Sequence, residues 1–378
     1  MKILAVDVGT GTQDILLYDS EQEIENCLKL VMPSATMRVA RQVRQATRAG
    51  RPILLTGVTM GGGPSAWATL DHVRAGYAAY ATPEAARTFD DELGKVEQQG
   101  IKVIGDDEAR RLNGEVICVE MRDFDFDAIH SAFDAFGVEL RPDALALAVF
   151  DHGNAPPGYS DRQFRFDYLE ARIRAQNRLS AFAFRRGELP AHLTRLQAVQ
   201  ATASFDGPLM LMDTAPAAVL GALLDPKVAA HRRLLAVNAG NFHVLAFRLG
   251  PGGVEGVFEH HTGEITLPQL DAFLGGLIDG TLLHRDVFDT MGHGALVFDP
   301  APMPALNGEP IFVSVTGPRR SIMRESKHAP YFAVPYGDMM IAGCFGMLRA
   351  FADVYPEYAE TILASLNGLP RGAPWDSQ

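Results

Sequence analysis

Residues 3–8 form an apolar run broken only by Asp7, and residues 15–18 form another. Joined through Gly9, Thr10 and Gly11, these runs predict a β-hairpin at the head of the chain. Residues 21–30 extend the pattern as a third strand of the same meander. From Ser34 the period becomes helical, with Val39, Val43 and Ala46 on one face and Gly50 as the stop. Residues 53–60 read as a buried strand running into Gly61-Gly62-Gly63-Pro64-Ser65 and a helix. A polar helical stretch over 82–100, short strands over 101–104 and 115–119, and a buried strand over 144–150 follow. Residues 162–203 read as two helices with Gly187 and Pro190 between them.

The second half repeats the opening design. Residues 209–213 are a strand leading to a small-residue turn and a helix, and residues 234–247 are again strand, glycine-containing turn, strand. Asn238 stands there where Asp7 stands in the first hairpin. A helical pattern over 266–283, an apolar strand over 311–315 and a last helix over 347–355 complete the chain. This duplication predicts an α/β protein with a first lobe over 1–160 and a second over 205–345. A helical segment over 161–204 is expected to cross between them, and a C-terminal helix over 346–378 to pack back between the lobes.

The length of 378 residues suffices for two cores. A formal net charge of -12 leaves no basic surplus to displace counterions, which argues against nucleic acid as a partner. Cys27, Cys118 and Cys344 lie far apart without a Cys-x-x-Cys spacing, so they read as buried thiols of a reducing compartment. No uninterrupted apolar run reaches the roughly 18 residues a membrane helix needs, and no small-residue cleavage site follows the first strand. The expectation is a cytoplasmic protein with no membrane partner.

The run Asp7-Val8-Gly9-Thr10-Gly11-Thr12-Gln13-Asp14 carries the most chemistry. Gly9 and Gly11 let successive N–H groups face one side, forming a concavity for an anion such as a phosphate. Thr10, Thr12 and Gln13 add side-chain donors, and Asp7 at the mouth of the turn suits a hydrated Mg²⁺. Asp151 and His152 follow a buried strand, the position that faces the ligand crevice in open α/β sheets. Asp151 is a candidate metal ligand or base and His152 a proton carrier, while a plain turn role for Asp151 stands beside that reading. The Gly61–Gly63 turn is either a tight connection or part of the cleft lining, and lacks the Gly-Lys-Ser/Thr of a P-loop. Asp123, Asp125 and Asp127 read as caps of the next helix. His260, His261, His284 and His293 have no zinc-site spacing; a metal cluster, a polar cleft lining and ordinary packing stay open for them.

The first hairpin resembles the first phosphate loop of the acetate and sugar kinase, heat-shock chaperone and actin superfamily. That resemblance implies two actin-like (ribonuclease H-like) lobes with a nucleotide cleft between them, and ATP and Mg²⁺ as cofactors. It implies phosphate clamping by Gly9, Thr10, Gly11, Thr12 and Gln13 from one lobe and Asn238, Gly240 and Asn241 from the other. The Gly317 turn with Arg319 would sit beside the adenosine, and Asp7 and Asp151 would hold the metal. The superfamily commonly places a second aspartate where Asn238 stands, and an amide neither acts as a base nor lends charge to a cation. Through residues 3–14 and Tyr336-Gly337-Asp338-Met339-Met340 the chain is also similar to a prokaryotic family labelled pyruvate formate-lyase activating enzyme. A radical S-adenosylmethionine activase needs three closely spaced cysteines, which this chain lacks. The expected function is phosphoryl or related group transfer to a small-molecule acceptor. A nucleotide-switched activator of an enzyme client, and an ATP-independent transferase or binding protein on the same fold, are the alternatives. A homodimer is compatible with the superfamily.

Overall fold

A computed structural model of the chain describes residues 1–112, 114–304, 310–370 and 375. The opening hairpin forms where the pattern places it: Lys2–Val8 and Thr12–Asp19 pair antiparallel, and Leu28–Pro33 completes the meander. The third strand begins late because Ile24–Asn26 makes a 3-10 turn that buries Ile24. Lys2–Val8 pairs parallel with Ala144–Val149, which pairs parallel with Leu209–Asp213, and Ala183–Arg185 closes the edge. Lys2–Val8 and Ala144–Val149 are interior strands, buried on both faces rather than alternating, with Lys2 and Asp7 the polar residues of the first.

The second sheet repeats this order. Leu234–Ala239, His243–Gly250 and Gly253–His261 form an antiparallel meander, with Gly294–Val297 at its outer edge. Val313–Thr316 pairs parallel with Leu234–Ala239, and Tyr331–Phe332 follows. In both sheets the first meander strand is interior and takes a parallel neighbour on its free side. This shared order is the actin-like, ribonuclease H-like architecture, and the chain is an α/β protein of two such lobes. A four-stranded parallel sheet, in the order Ile101–Val103, Ala79–Ala81, Ile53–Gly57 and Ile117–Met121, is inserted after the first meander. It has its own core around Val39, Val43, Leu55 and Val119.

The lobe boundaries differ from those the local pattern suggests. Leu209–Asp213, expected to open the second lobe, is a strand of the first sheet. The 161–204 segment contributes an edge strand, Ala183–Arg185, to that sheet and packs against both lobes: Phe166, Leu169, Leu196 and Val199 share a core cluster with Leu145 and Leu147 of the first sheet and with Leu245 and Phe247 of the second. Strand–turn–helix units recur in both halves, and periodicity alone does not say which sheet a strand joins. The last long helix, Ala342–Val354, lies on the Thr214–Ala222 helix and covers a face of the first sheet, rather than packing between lobes. A Cβ on Gly221 or Gly346 would stand 1.7 or 1.8 Å from a carbonyl oxygen of the facing helix, so the two helices approach through glycine. Residue 113, residues 305–309, and 371–374 and 376–378 of the expected C-terminal segment lie outside the described residues. Among the described residues no helix is long and apolar enough to cross a membrane.

Candidate functional site

Each lobe presents the turn of its central hairpin to one cleft. Gly9 N–H donates to the Thr12 carbonyl at 2.9 Å, and Gly240 N–H donates to the His243 carbonyl at 2.9 Å. The registers correspond as well: Asp7 faces Asp14 across the first hairpin, and Asn238 faces Leu245 across the second. The turns touch at their tips, where a Cβ on Gly11 would lie 2.7 Å from Nδ2 of Asn241. Asp7, Gly9, Thr10 and Thr12 line one side of the inner cavity, and Asn238, Gly240, Asn241, Thr316 and Gly317 line the other.

Asp7 and Asp14 form the anionic end of this cavity. Asp7 is buried and accepts a hydrogen bond from the Thr214 hydroxyl at 2.5 Å. Burial, set against that bond, pushes its pKa up to about 7. Burial and the facing Asp7 push Asp14 up to about 8. Asp14 Oδ1 and Thr316 Oγ1 are buried without a hydrogen-bond partner. The last helix presses on this corner, since a Cβ on Gly343 would stand 1.9 Å from Asp7 Oδ2. Two crowded carboxylates with an orphaned oxygen fit a hard cation such as Mg²⁺, which takes oxygen ligands and lowers carboxylate pKa values.

Several residues singled out in the sequence are placed elsewhere. Gln13 donates through Nε2 to the Pro33 carbonyl at 3.2 Å, tying the meander together rather than facing the cavity. Arg319 is exposed and not among the cavity residues; its backbone N–H caps the Ala239 carbonyl at 2.9 Å. Asp151 does not join Asp7. Its Oδ1 accepts from Gly153 N–H at 2.8 Å and its Oδ2 from Leu196 N–H at 2.9 Å, so both oxygens fix the turn and the start of the Thr194–Thr202 helix. That is the turn role, and Asp151 borders the outer cleft rather than the inner cavity that Asp7 lines.

Outside the hairpins the cavity opens into a wider, polar cleft, with Gly61, Gly62 and Gly63 on one wall and Asp91, Asp161 and Lys95 on another. The glycine turn does line the cleft, held by Asp123, which accepts from Gly61 N–H at 3.2 Å and pairs with Arg195 at 2.7 Å. Asp125 caps the Phe126–Asp134 helix, accepting from Ala128 N–H at 3.1 Å. Burial and the nearby Asp161 push Asp91 up to about 6. His152 lies at the junction with His243 and His293. His260 and His284 do not join them: His260 meets the Thr290 carbonyl at 2.8 Å, and His284 stacks on Phe288. Asp14, Thr214 and His243 were not singled out from the sequence. A hairpin register counted outward from Gly9 and Thr12 does pair Asp7 with Asp14, so that signal was present.

Residues 60–322 match the family described as "Putative pyruvate format-lyase activating enzyme (DUF1786)". The chain belongs to this family. The chain is also similar in structure to the ethanolamine utilization protein EutJ from Carboxydothermus hydrogenoformans, at 10% identity over 92% of this chain and 89% of that one, with a TM-score of 0.33. A Ppx/GppA family member from Aquifex aeolicus is 9% identical over 97% and 87% of the two chains, with a TM-score of 0.30. ROK hexokinase from Thermus thermophilus is 12% identical over 67% of this chain and 48% of that one, with a TM-score of 0.22. No curated protein matches the chain. The actin-like assignment rests on the sheet order and the paired hairpins, not on these loose superpositions. Cys27 and Cys344 are buried, Cys118 is exposed, and among the described residues the groups able to hold a metal include no cysteine cluster. A radical-type iron–sulfur site therefore has no ligands here.

Proposed function

We propose that the chain binds ATP with Mg²⁺ between its lobes and transfers a phosphoryl or related group to a small polar acceptor. The observation that carries this reading is the pair of glycine hairpins with matching backbone hydrogen bonds facing each other across one cavity. Thr10 and Thr12 on one turn and Asn241 on the other would donate to phosphate oxygens, and the Gly317 turn would border the nucleoside. Asp7, Asp14 and, through Asp7, Thr214 would hold the metal. Mg²⁺ bound there supplies charge neutralisation on the phosphate oxygens. The acceptor would lie in the outer cleft, where Asp91, with its pKa near 6, is poised to take a proton near neutral pH. Asp151 would act as a positioning residue for the Phe150–Asn154 loop through its two backbone hydrogen bonds.

A second reading is a nucleotide-switched activator of another enzyme, in which lobe closure is the output. Asn238 and Leu245 favour it, because the second hairpin lacks both carboxylates that the first supplies. Turnover of ATP separates the two. Small polar acceptors should accelerate ADP release if the chain is a transferase, whereas only a protein client should do so if it is an activator. ATP turnover that responds to neither overturns both.

A further inference from the structure

We propose a second cation site, built by the imidazoles of His152, His243 and His293, that takes a divalent transition metal such as Zn²⁺. One ligand nitrogen from each of the three lies within 4.8 Å of the others. His152 Nε2 and His293 Nε2 are 3.1 Å apart, close to the edge of about 3.3 Å that two nitrogens make on tetrahedral Zn²⁺ at Zn–N distances of about 2.0–2.1 Å. A simple histidine–histidine hydrogen bond accounts for those two rings but not for the third: His243 Nε2 is buried without a partner. Protonation offers no way out. Burial, followed by the neighbouring rings and Arg165, pushes His243 well below its ordinary value, and burial pushes His152 down to about 3. Three neutral imidazoles with converging lone pairs are a ligand set waiting for a cation.

The surroundings fit a metal. His293 Nδ1 lies 3.5 Å from Glu259 Oε1, and neither atom has another partner, so the carboxylate stands where it would accept that N–H and aim Nε2 at the ion. The positive charge of Arg165 is matched by Asp213 and Glu259. Phe150 stacks on His243 at 4.2 Å and meets His152 edge-on at 4.7 Å, fixing both rings. The set holds neither thiolate nor carboxylate, so it selects an ion that accepts imidazole, whereas Asp7 and Asp14 select a hard one. Three histidines leave a fourth position, the pattern of a reactive rather than a structural zinc site. His152 and His243 line the outer cleft, so that position is reachable by the molecule bound there. His152 follows a strand of the first sheet, His243 opens a strand of the second and His293 immediately precedes another, so the ion ties the two lobes together.

The test uses the full chain stripped with a chelator, in buffer free of nucleotide and Mg²⁺, so its outcome is independent of the nucleotide reading. Titration with Co²⁺ should give visible bands of a nitrogen-ligated, low-coordinate ion that saturate at one equivalent. His243→Ala and His152→Gln should each weaken binding by at least about 100-fold, and His260→Gln should leave it unchanged. X-ray absorption of the wild-type complex gives a reading that needs no variant: three imidazole ligands are expected. No binding, binding unaltered in His243→Ala, or fewer than two imidazoles on the ion overturns the proposal.

Discussion

The two hairpins are the same backbone device carrying different chemistry. Where the first places Asp7, Thr12 and Asp14, the second places Asn238, His243 and Leu245 at the corresponding positions of the turn and register. The first lobe therefore contributes charged oxygens and the second contributes an amide and an imidazole. The two lobes share a hairpin geometry, and the proposed cation sites divide between them by ligand type. Asp7 and Asp14 are the proposed ligands of the hard cation, and His243 joins His152 and His293 at the mouth of the cleft.

The strongest way to break this division is to crowd the carboxylate side. Gly343→Ala puts a methyl against Asp7 Oδ2 on a helix pinned by glycine contacts, and should cost about 3 kcal/mol in equilibrium denaturation. Loss of under 0.5 kcal/mol would show that Asp7 is not held by the helix. Asn238→Asp restores a carboxylate to the second hairpin and should cost about 2 kcal/mol without Mg²⁺, with most of it regained when Mg²⁺ is added. Melting curves that ignore Mg²⁺ would place the hard cation elsewhere. Thr214→Val removes the hydrogen bond to Asp7 and should cost about 1 kcal/mol, more at pH 8 than at pH 5 because the ionised carboxylate loses more.

The pH dependence of stability separates the carboxylates from the histidines by sign. Asp7 and Asp14 stay protonated in the folded chain up to about 7 and about 8 but ionise near 3.8 once unfolded. The folded state binds more protons in that window, so their contribution is complete below pH 4 and is lost as pH rises through 7 and 8. His152 and His243 are neutral when folded but protonate near 6.5 once unfolded, so their contribution is lost as pH falls from 6.5 toward 3. Denaturation across this range in metal-free buffer should show Asp14→Asn flattening the alkaline limb and His243→Gln the acid limb. The same slope change in both variants would contradict the division.

Much of the fold was legible because it is local. The opening hairpin, the strand ending at Asp151 and the repeat at 234–247 are each a short apolar run beside a glycine turn. What escaped was set by distant partners. Leu209–Asp213 looks like the start of a new lobe, and only its pairing with Ala144–Val149 assigns it to the first. Asp151 ends a strand in a position that suits catalysis, yet Gly153 and Leu196 claim both of its oxygens. The histidine trio joins residues far apart in sequence, so no spacing announces it, and the clustered His260 and His284 turn out to pack elsewhere.

The proposed clamp of the facing hairpins on a nucleotide depends on Mg²⁺ at Asp7. Calorimetric titration of the full chain with ATP and ADP, with and without Mg²⁺ and alongside Asp7→Asn, tests it most directly. Binding should require Mg²⁺ and weaken by about tenfold or more in the variant, the scale of losing one charge-assisted contact worth about 1.5–3 kcal/mol. No heat of binding by the wild type at millimolar nucleotide, or equal binding by Asp7→Asn, would contradict it.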